Sequence, residues 1–214
     1  MQKLDLKKDL KYLYQPSAKK IEAVDVPAMN FIMIDGAIEP NEMPGKSPLF
    51  LENMAALYGA AYTLKFTAKL RKENPLDYPV MASEGLWWVD DGMFDITKPG
   101  NWKYTLMLMQ PDQITPAMFA DALTQLRKKK GDLPAFARLR LEKFREGKCV
   151  QVMHVGPYAA EPATIEKMRA FMAENGWTDR VGLGGRHHEI YMSDPRRASP
   201  EKMKTVLRHP VEKA

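Results

Sequence analysis

The chain has 214 residues, 45% of them hydrophobic and 28% charged, proportions that fit a globular protein and exclude a disordered or fibrous one. No run approaches the ~18 apolar residues of a membrane-spanning helix, and the N-terminal MQKLDLKKDLKYLY carries charges where a signal peptide is apolar, so a cytoplasmic protein without membrane contact is expected. A lone Cys149 excludes an internal disulfide and a multi-cysteine zinc site, and the net charge of +5 is concentrated in Arg127 to Lys148, where nine basic residues face three acidic ones. No helix-turn-helix, zinc-finger or RNA-recognition signature accompanies that stretch, which reads as a solvated helix face and linker, with polyanion or partner binding as the alternative.

Residues 1–24 read as a polar lead with a helical turn or two around Leu6 and Leu10. Val26 to Gly36 is rich in strand formers and stops at an Asp-Gly turn. After a loop with Pro40, Pro44 and Gly45, Ser47-Pro48 reads as the N-cap and first residue of a helix reaching about Lys72. Its Leu49, Phe50, Met54, Leu57, Ala61 and Leu64 form one buried stripe. Two strands follow, Tyr78 to Val89 and Trp102 to Met109, around a loop with Asp91-Gly92 and Pro99-Gly100. Thr115-Pro116 opens a further helix with Met118, Phe119, Ala122 and Leu126 on its face. Leu133, Phe136, Leu139 and Phe144 predict another over Asp132 to Glu146. Lys148 to Gly156 reads as a strand, Pro162 to Asn175 as a helix, and His187 to Met192 and Met203 to His209 as strands.

The order strand, helix, strand, strand thus occurs twice, and punctuation aligns with it. Phe31 to Gly36 sets against Gln151 to Gly156, Leu86 to Asp91 against Glu189 to Asp194, and Leu106 to Pro111 against Thr205 to Pro210. The expected fold is α+β, a single domain over 25–214 made of duplicated halves. Half one is 25–111, a helical connector is 112–147, and half two is 148–214. The halves form a pseudo-symmetric antiparallel sheet with helices on one side and a ligand cleft between them.

The strings EGLWW (84–88), YTLMLMQP (104–111), MHVGPY (153–158), TIEKM (164–168), HHEIYMSDPRR (187–197) and LRHPV (207–211) resemble the GyrI-like (gyrase-inhibitor-like) small-molecule-binding family in its stand-alone form, over roughly Leu4 to Val211. The resemblance implies a cleft between duplicated halves that takes hydrophobic aromatic or cationic small molecules, in a sequestering or detoxifying protein. In a subset of stand-alone members it implies hydrolysis of cyclopropane-bearing DNA-alkylating natural products. The DNA-binding domain of the family's transcription regulators has no counterpart here, so direct control of transcription is not expected.

Glu189 is the leading candidate for chemistry. It lies among apolar strand residues, and the repeat alignment sets it against Leu86, which suggests a cleft-facing carboxylate in need of a partner or a ligand. Strand alternation puts Glu189 and Tyr191 on one face, Leu86 and Trp88 on its equivalent, and Trp102 with Tyr104, while Trp87 and Ile190 point away. Trp88, Trp102, Tyr104 and Tyr191 are the expected aromatic walls, and Trp87 is either wall or core. Tyr158 follows Gly156-Pro157, where its hydroxyl can reach a ligand or cap a loop. His154 reads as a ligand contact or a satisfied buried histidine. If the chain is a hydrolase, Glu189 is the base and Tyr158 or Tyr191 the hydrogen-bond donor. No cofactor and no metal are expected: His188-Glu189 starts like HExxH, but position 192 is Met on a strand, and Gly182 to Gly185 lacks the context of a dinucleotide loop.

Overall fold

The computed structural model describes residues 1–39, 42–98 and 100–214; Pro40 and Pro99, expected in loops, lie outside the described residues. Nine strands and six α-helices are described. They run β1 (Gln2–Lys3), α1 (Leu6–Asp9), α2 (Lys11–Tyr14), β2 (Glu22–Ala37), α3 (Pro48–Lys69), β3 (Leu76–Asp77), β4 (Ser83–Trp88) and β5 (Lys103–Gln110), then α4 (Pro116–Lys130), α5 (Pro134–Arg138), β6 (Arg140–Val155), α6 (Glu161–Glu174), β7 (Trp177–Asp179), β8 (His187–Tyr191) and β9 (Lys204–Lys213). Ser47 and Thr115 cap α3 and α4 as expected, each hydroxyl accepting the amide three residues on.

The strand order is β6-β2-β5-β4-β8-β9, every pair antiparallel, and β9 pairs back onto β6. The sheet therefore closes into a six-stranded barrel, with β7 pairing the end of β9 at Val211 to Lys213 and β1 pairing β3 separately. The expected antiparallel sheet is present, and its closure adds to that expectation. Closure follows from the length of β2 and β6, sixteen residues each, which lets β2 pair both β5 and β6 and lets β6 reach β9 with its second half. Part of that length is a correction. Leu141 and Phe144, expected on a helix through Glu146, belong to β6, and the helix stops at Arg138. The basic segment is consequently divided among α4, α5 and β6. Several of its charges meet acids, Arg127 with Asp132, Arg140 with Asp35 and Glu142 among them.

Residues facing each other across antiparallel strands share a side of the sheet, so the registers sort side chains into an outer and an inner surface. One outer row runs Ile34, Leu106, Gly85, Glu189, Leu207, Val152 across all six strands. Helix α3 covers the β2–β5 end of that surface. Helix α6 covers the other end, its Ile165, Met168 and Met172 packing on Val150, Val152 and Leu207. Glu189 lies between the two covers.

The inner surface carries Leu86, His188, Arg208 and Gln151 in one row. Residues 1–24 close over this interior rather than trail from it: Leu13 and Tyr14 are buried, the Leu13 carbonyl accepts from Arg208 Nη2 at 2.7 Å, and the Tyr14 hydroxyl donates to Glu84 Oε1 at 2.5 Å.

Candidate functional site

The outer rows around Glu189 define the site. On one side lies the row His154, Thr205, Tyr191, and on the other the row Tyr104, Trp87, His187. Sheet register therefore corrects the expected alternation. Glu189 pairs with Gly85, not Leu86, so Trp87 shares its face and Trp88 does not. The Trp87 indole N–H donates to the Tyr191 hydroxyl at 2.9 Å. Gly85 makes room for this pair, since a Cβ there would stand 2.7 Å from the Tyr191 hydroxyl and 2.8 Å from Trp87 Nε1. Trp88 instead carries the Arg186 guanidinium 3.8 Å above its ring and borders a 250 Å³ hollow with Arg186, Phe94 and Val181.

Opposite Glu189 stands a residue that sequence reasoning missed. Glu161 is the first residue of α6, fully buried, and among the described residues neither of its carboxylate oxygens has a hydrogen-bond partner of normal geometry. An acid in the first turn of a helix, followed by proline, is ordinary in sequence, and nothing there distinguishes it from a solvated one. Burial, and then the charge of Glu189, raise its pKa well above the usual carboxylate range, although Thr205 pulls the other way. Glu161 is thus an acid with a raised tendency to keep its proton, set beside a second carboxyl group.

Tyr158, in the turn before α6, and Tyr191 meet edge to face at 6.2 Å between ring centres. Burial and the neighbouring Glu189 charge push both hydroxyls above the ordinary tyrosine range, so both keep their protons. His154 uses both ring nitrogens locally, Nδ1 with Thr164 Oγ1 at 2.9 Å and Nε2 with the Pro157 carbonyl at 3.3 Å; burial lowers its pKa. It braces the turn that carries Tyr158.

His187 completes the cluster. Its Nε2 is 3.1 Å from Glu189 Oε1 and its Nδ1 2.7 Å from His209 Nε2, and His209 Nδ1 is 2.8 Å from Asp179 Oδ2. Burial lowers the pKa of His209 despite Asp179. Burial alone would raise Asp179, but the His209 hydrogen bond and charge, the Val181 amide and Arg169 outweigh it. One atom each of Glu161, His187 and Glu189 lies within 4.8 Å of the others, and these are donor types that divalent cations accept. The His187–Glu189 hydrogen bond also joins two of these groups directly.

Aromatic rings roof the cluster. Phe94 stacks on His187 at 5.3 Å and on Trp87 at 6.1 Å, and Trp102 leans on both Phe94 and Trp87. Tyr104 lies deeper, against Trp87 and Phe50, with its hydroxyl 3.0 Å from the Asn53 amide, so it supports the roof from the core. Beyond the roof, a cavity of about 440 Å³ lies between the 89–98 loop and α6, bordered by Phe94, Trp102, Pro162, Ile165, Glu166 and Arg169. That volume is in the range of small-molecule sites. Pro162 on its wall is the residue next to Glu161.

A family model described as the GyrI-like small molecule binding domain matches residues 19–212. An uncharacterized conserved protein from Listeria innocua is 40% identical, with a TM-score of 0.87 over 98% of this chain and 100% of its own. A hydrolase from the same organism is also 40% identical, with a TM-score of 0.84 over 99% and 100%. The C-terminal domain of EcmrR, at 10% identity and a TM-score of 0.54 over 91% and 98%, shares the fold alone. No curated protein sequence matches the chain.

Proposed function

Since the chain belongs to the GyrI-like small-molecule-binding family, we propose that it is a detoxifying hydrolase that takes a flat, hydrophobic molecule under its aromatic roof and adds water to it. The observation that carries this reading is the Glu161–Glu189 pair, a neutral acid set beside a carboxylate in a buried aromatic site. A site built only to hold a cation has use for one carboxylate, and a second that retains its proton adds cost without charge. An acid and a base side by side serve proton transfer. The family likeness of two Listeria innocua proteins called hydrolases, at 39% and 40% identity, supports the same reading.

The substrate class is the one the family resemblance implies, an aromatic molecule bearing a cyclopropane conjugated to a carbonyl. Entry from the 440 Å³ cavity displaces Phe94, and Trp87 and Trp102 then hold the ring system by stacking. Glu189 orients a water and takes its proton as the oxygen bonds to the strained carbon. The ring C–C bond breaks, and its electron pair moves through the conjugated system to the carbonyl oxygen. Tyr158, Tyr191 or Glu161 donates to that oxygen. The order β2-α3-β4-β5, followed by β6-α6-β8-β9, supports a reading of the fold as two repeats. Gly85 and Trp87 then come from the first repeat and Glu161, His187 and Glu189 from the second.

Glu189→Gln is expected to lower ring opening by about two to four powers of ten, with ligand quenching of tryptophan fluorescence retained. A wild-type rate in that variant removes Glu189 as the base. The second reading is sequestration of cationic aromatic molecules, favoured by a carboxylate set among Trp87, Phe94 and Trp102. Wild-type protein that binds such a substrate without opening its ring establishes that alternative.

A further inference from the structure

The proposed chemistry needs one proton on the Glu161–Glu189 pair, and the front of the pair is sealed. Glu161 is 0% and Glu189 4% exposed, and Phe94, stacked on His187, and Trp102 border the cavity. Behind Glu189, three contacts run in series: Glu189 Oε1 to His187 Nε2 at 3.1 Å, His187 Nδ1 to His209 Nε2 at 2.7 Å, and His209 Nδ1 to Asp179 Oδ2 at 2.8 Å. Each contact requires one proton between its two heavy atoms, which makes three. Two neutral imidazoles supply two, so the chain holds one more, as an imidazolium or as a carboxylic acid at either end.

The geometry is fixed on every side. Phe94 lies flat on His187, the two imidazoles meet at 83°, and the Val181 amide donates to the other oxygen of Asp179 at 3.0 Å. Both histidines are 1% exposed, whereas Asp179, on the added strand β7, is 12% exposed at its side chain. Packing needs no more than one hydrogen-bond partner per ring nitrogen. Two rings strung end to end between a sealed carboxylate and a partly exposed one form a path.

We propose that His187, His209 and Asp179 form a proton wire that exchanges the single proton of the Glu161–Glu189 pair with solvent while the aromatic roof stays closed. The proposal rests on the hydrolase reading and assigns the three as positioning and relay residues, Glu189 being the group that meets water. Loading proceeds by three hops after Asp179 takes a proton from bulk water. Asp179 Oδ2 gives its proton to His209 Nδ1, His209 Nε2 gives its own to His187 Nδ1, and His187 Nε2 gives its own to Glu189 Oε1. Unloading is the reverse. One proton crosses, no other bond changes, and no co-reactant is needed. The charged and titratable groups facing the wire are Glu161 and Arg169 from α6, Glu189 and Tyr191 from β8, Asp179 from β7 and His154 from β6.

The test combines turnover with nitrogen-15 NMR of the histidine rings. Wild-type protein is expected to show hydrogen-bonded ring N–H protons on both His187 and His209, and Asp179→Asn to shift the His187 resonances two residues down the wire. Asp179→Asn and His209→Phe are expected to lower kcat on the order of tenfold or more with KM little changed, to enlarge the solvent deuterium isotope effect and to move the pH profile. Absence of hydrogen-bonded ring protons on His187 and His209 in the wild type, or His187 resonances indifferent to Asp179→Asn, overturns the wire whether or not turnover occurs. Turnover, isotope effect and pH profile all within twofold of wild type in both variants overturn it and leave the hydrolase reading standing. Absence of turnover in the wild type defeats the hydrolase reading, and the NMR arm then decides the wire alone.

Discussion

His187 and His188 are neighbours on β8 and serve opposite surfaces of the sheet. Inside the barrel, His188 donates Nδ1–H to Glu146 and Nε2–H to Glu84, both at 3.0 Å, and Arg208 reaches Glu146 Oε2 at 3.3 Å while also bonding Gln151 and the Leu13 carbonyl. Two acids meet two cations there, and the network ties the N-terminal segment into the barrel. Outside, His187 links Glu189, beside the unpartnered Glu161, to a second histidine and a half-buried aspartate. Both regions bury charge. The inner one cancels it, as a structural network must, whereas the outer one leaves a proton and an acid uncommitted, which stability alone does not favour.

The sharpest way to break this contrast is to remove a charge from the inner network. Arg208→Met leaves Glu146 with His188 as its one cation and withdraws the donors of the Leu13 carbonyl and Gln151. Truncating one side of a buried ion pair costs about 3 to 5 kcal/mol, so the urea midpoint should fall strongly. Turnover per folded molecule should persist, because the outer cluster is untouched. A variant as stable as wild type would show that the inner charges are incidental.

A titration distinguishes the two regions more finely. Burial lowers the pKa of His188, but Glu146 and Glu84 outweigh burial and raise it to about 9. A folded-state pKa above the unfolded value means stability fully present below about 6.5 and lost as pH rises through about 9. The shift corresponds to about 3 kcal/mol. The stability difference between wild type and His188→Gln should therefore shrink between pH 6.5 and 9.5, measured by denaturant unfolding. A constant difference would place the charge elsewhere.

How far sequence reaches into each region depends on what fixes it. Helix α3 was legible because its Ser-Pro start and its stripe through Leu57 and Leu64 are local signals that tertiary packing reinforces. The first half of β6 was not. Leu133, Phe136 and Leu139 recur at helical spacing, and Leu141 to Gly147 lacks clean alternation because that stretch is only partly buried against β2. Glu189 and its aromatic setting were legible from a carboxylate among strand apolars. The choice between Trp87 and Trp88 was not, since it turns on a one-residue register that a repeat alignment does not determine. Glu161, His209 and Asp179 enter the site from three other elements, and their convergence exists only in the closed barrel.

The smallest expected effect concerns Glu161, and it carries the opposite sign to that of Arg208. Glu161 is held neutral by burial and by the Glu189 charge. In the unfolded chain it ionises above about pH 4.3, so folding must take up a proton once the pH passes that value. Stability associated with Glu161 is therefore full below the unfolded pKa and falls as pH rises toward the raised folded one. Glu161→Gln keeps the shape and removes the penalty. The variant should gain on the order of 1 to 2 kcal/mol over wild type at pH 7 and nothing at pH 4, read as a melting-temperature difference that opens with pH. Turnover should fall at the same time, since the amide has no acid proton to give. A functional acid is expected to trade stability for activity in this way. Loss of both together would place Glu161 with the inner network, as a structural group whose partner has been misread.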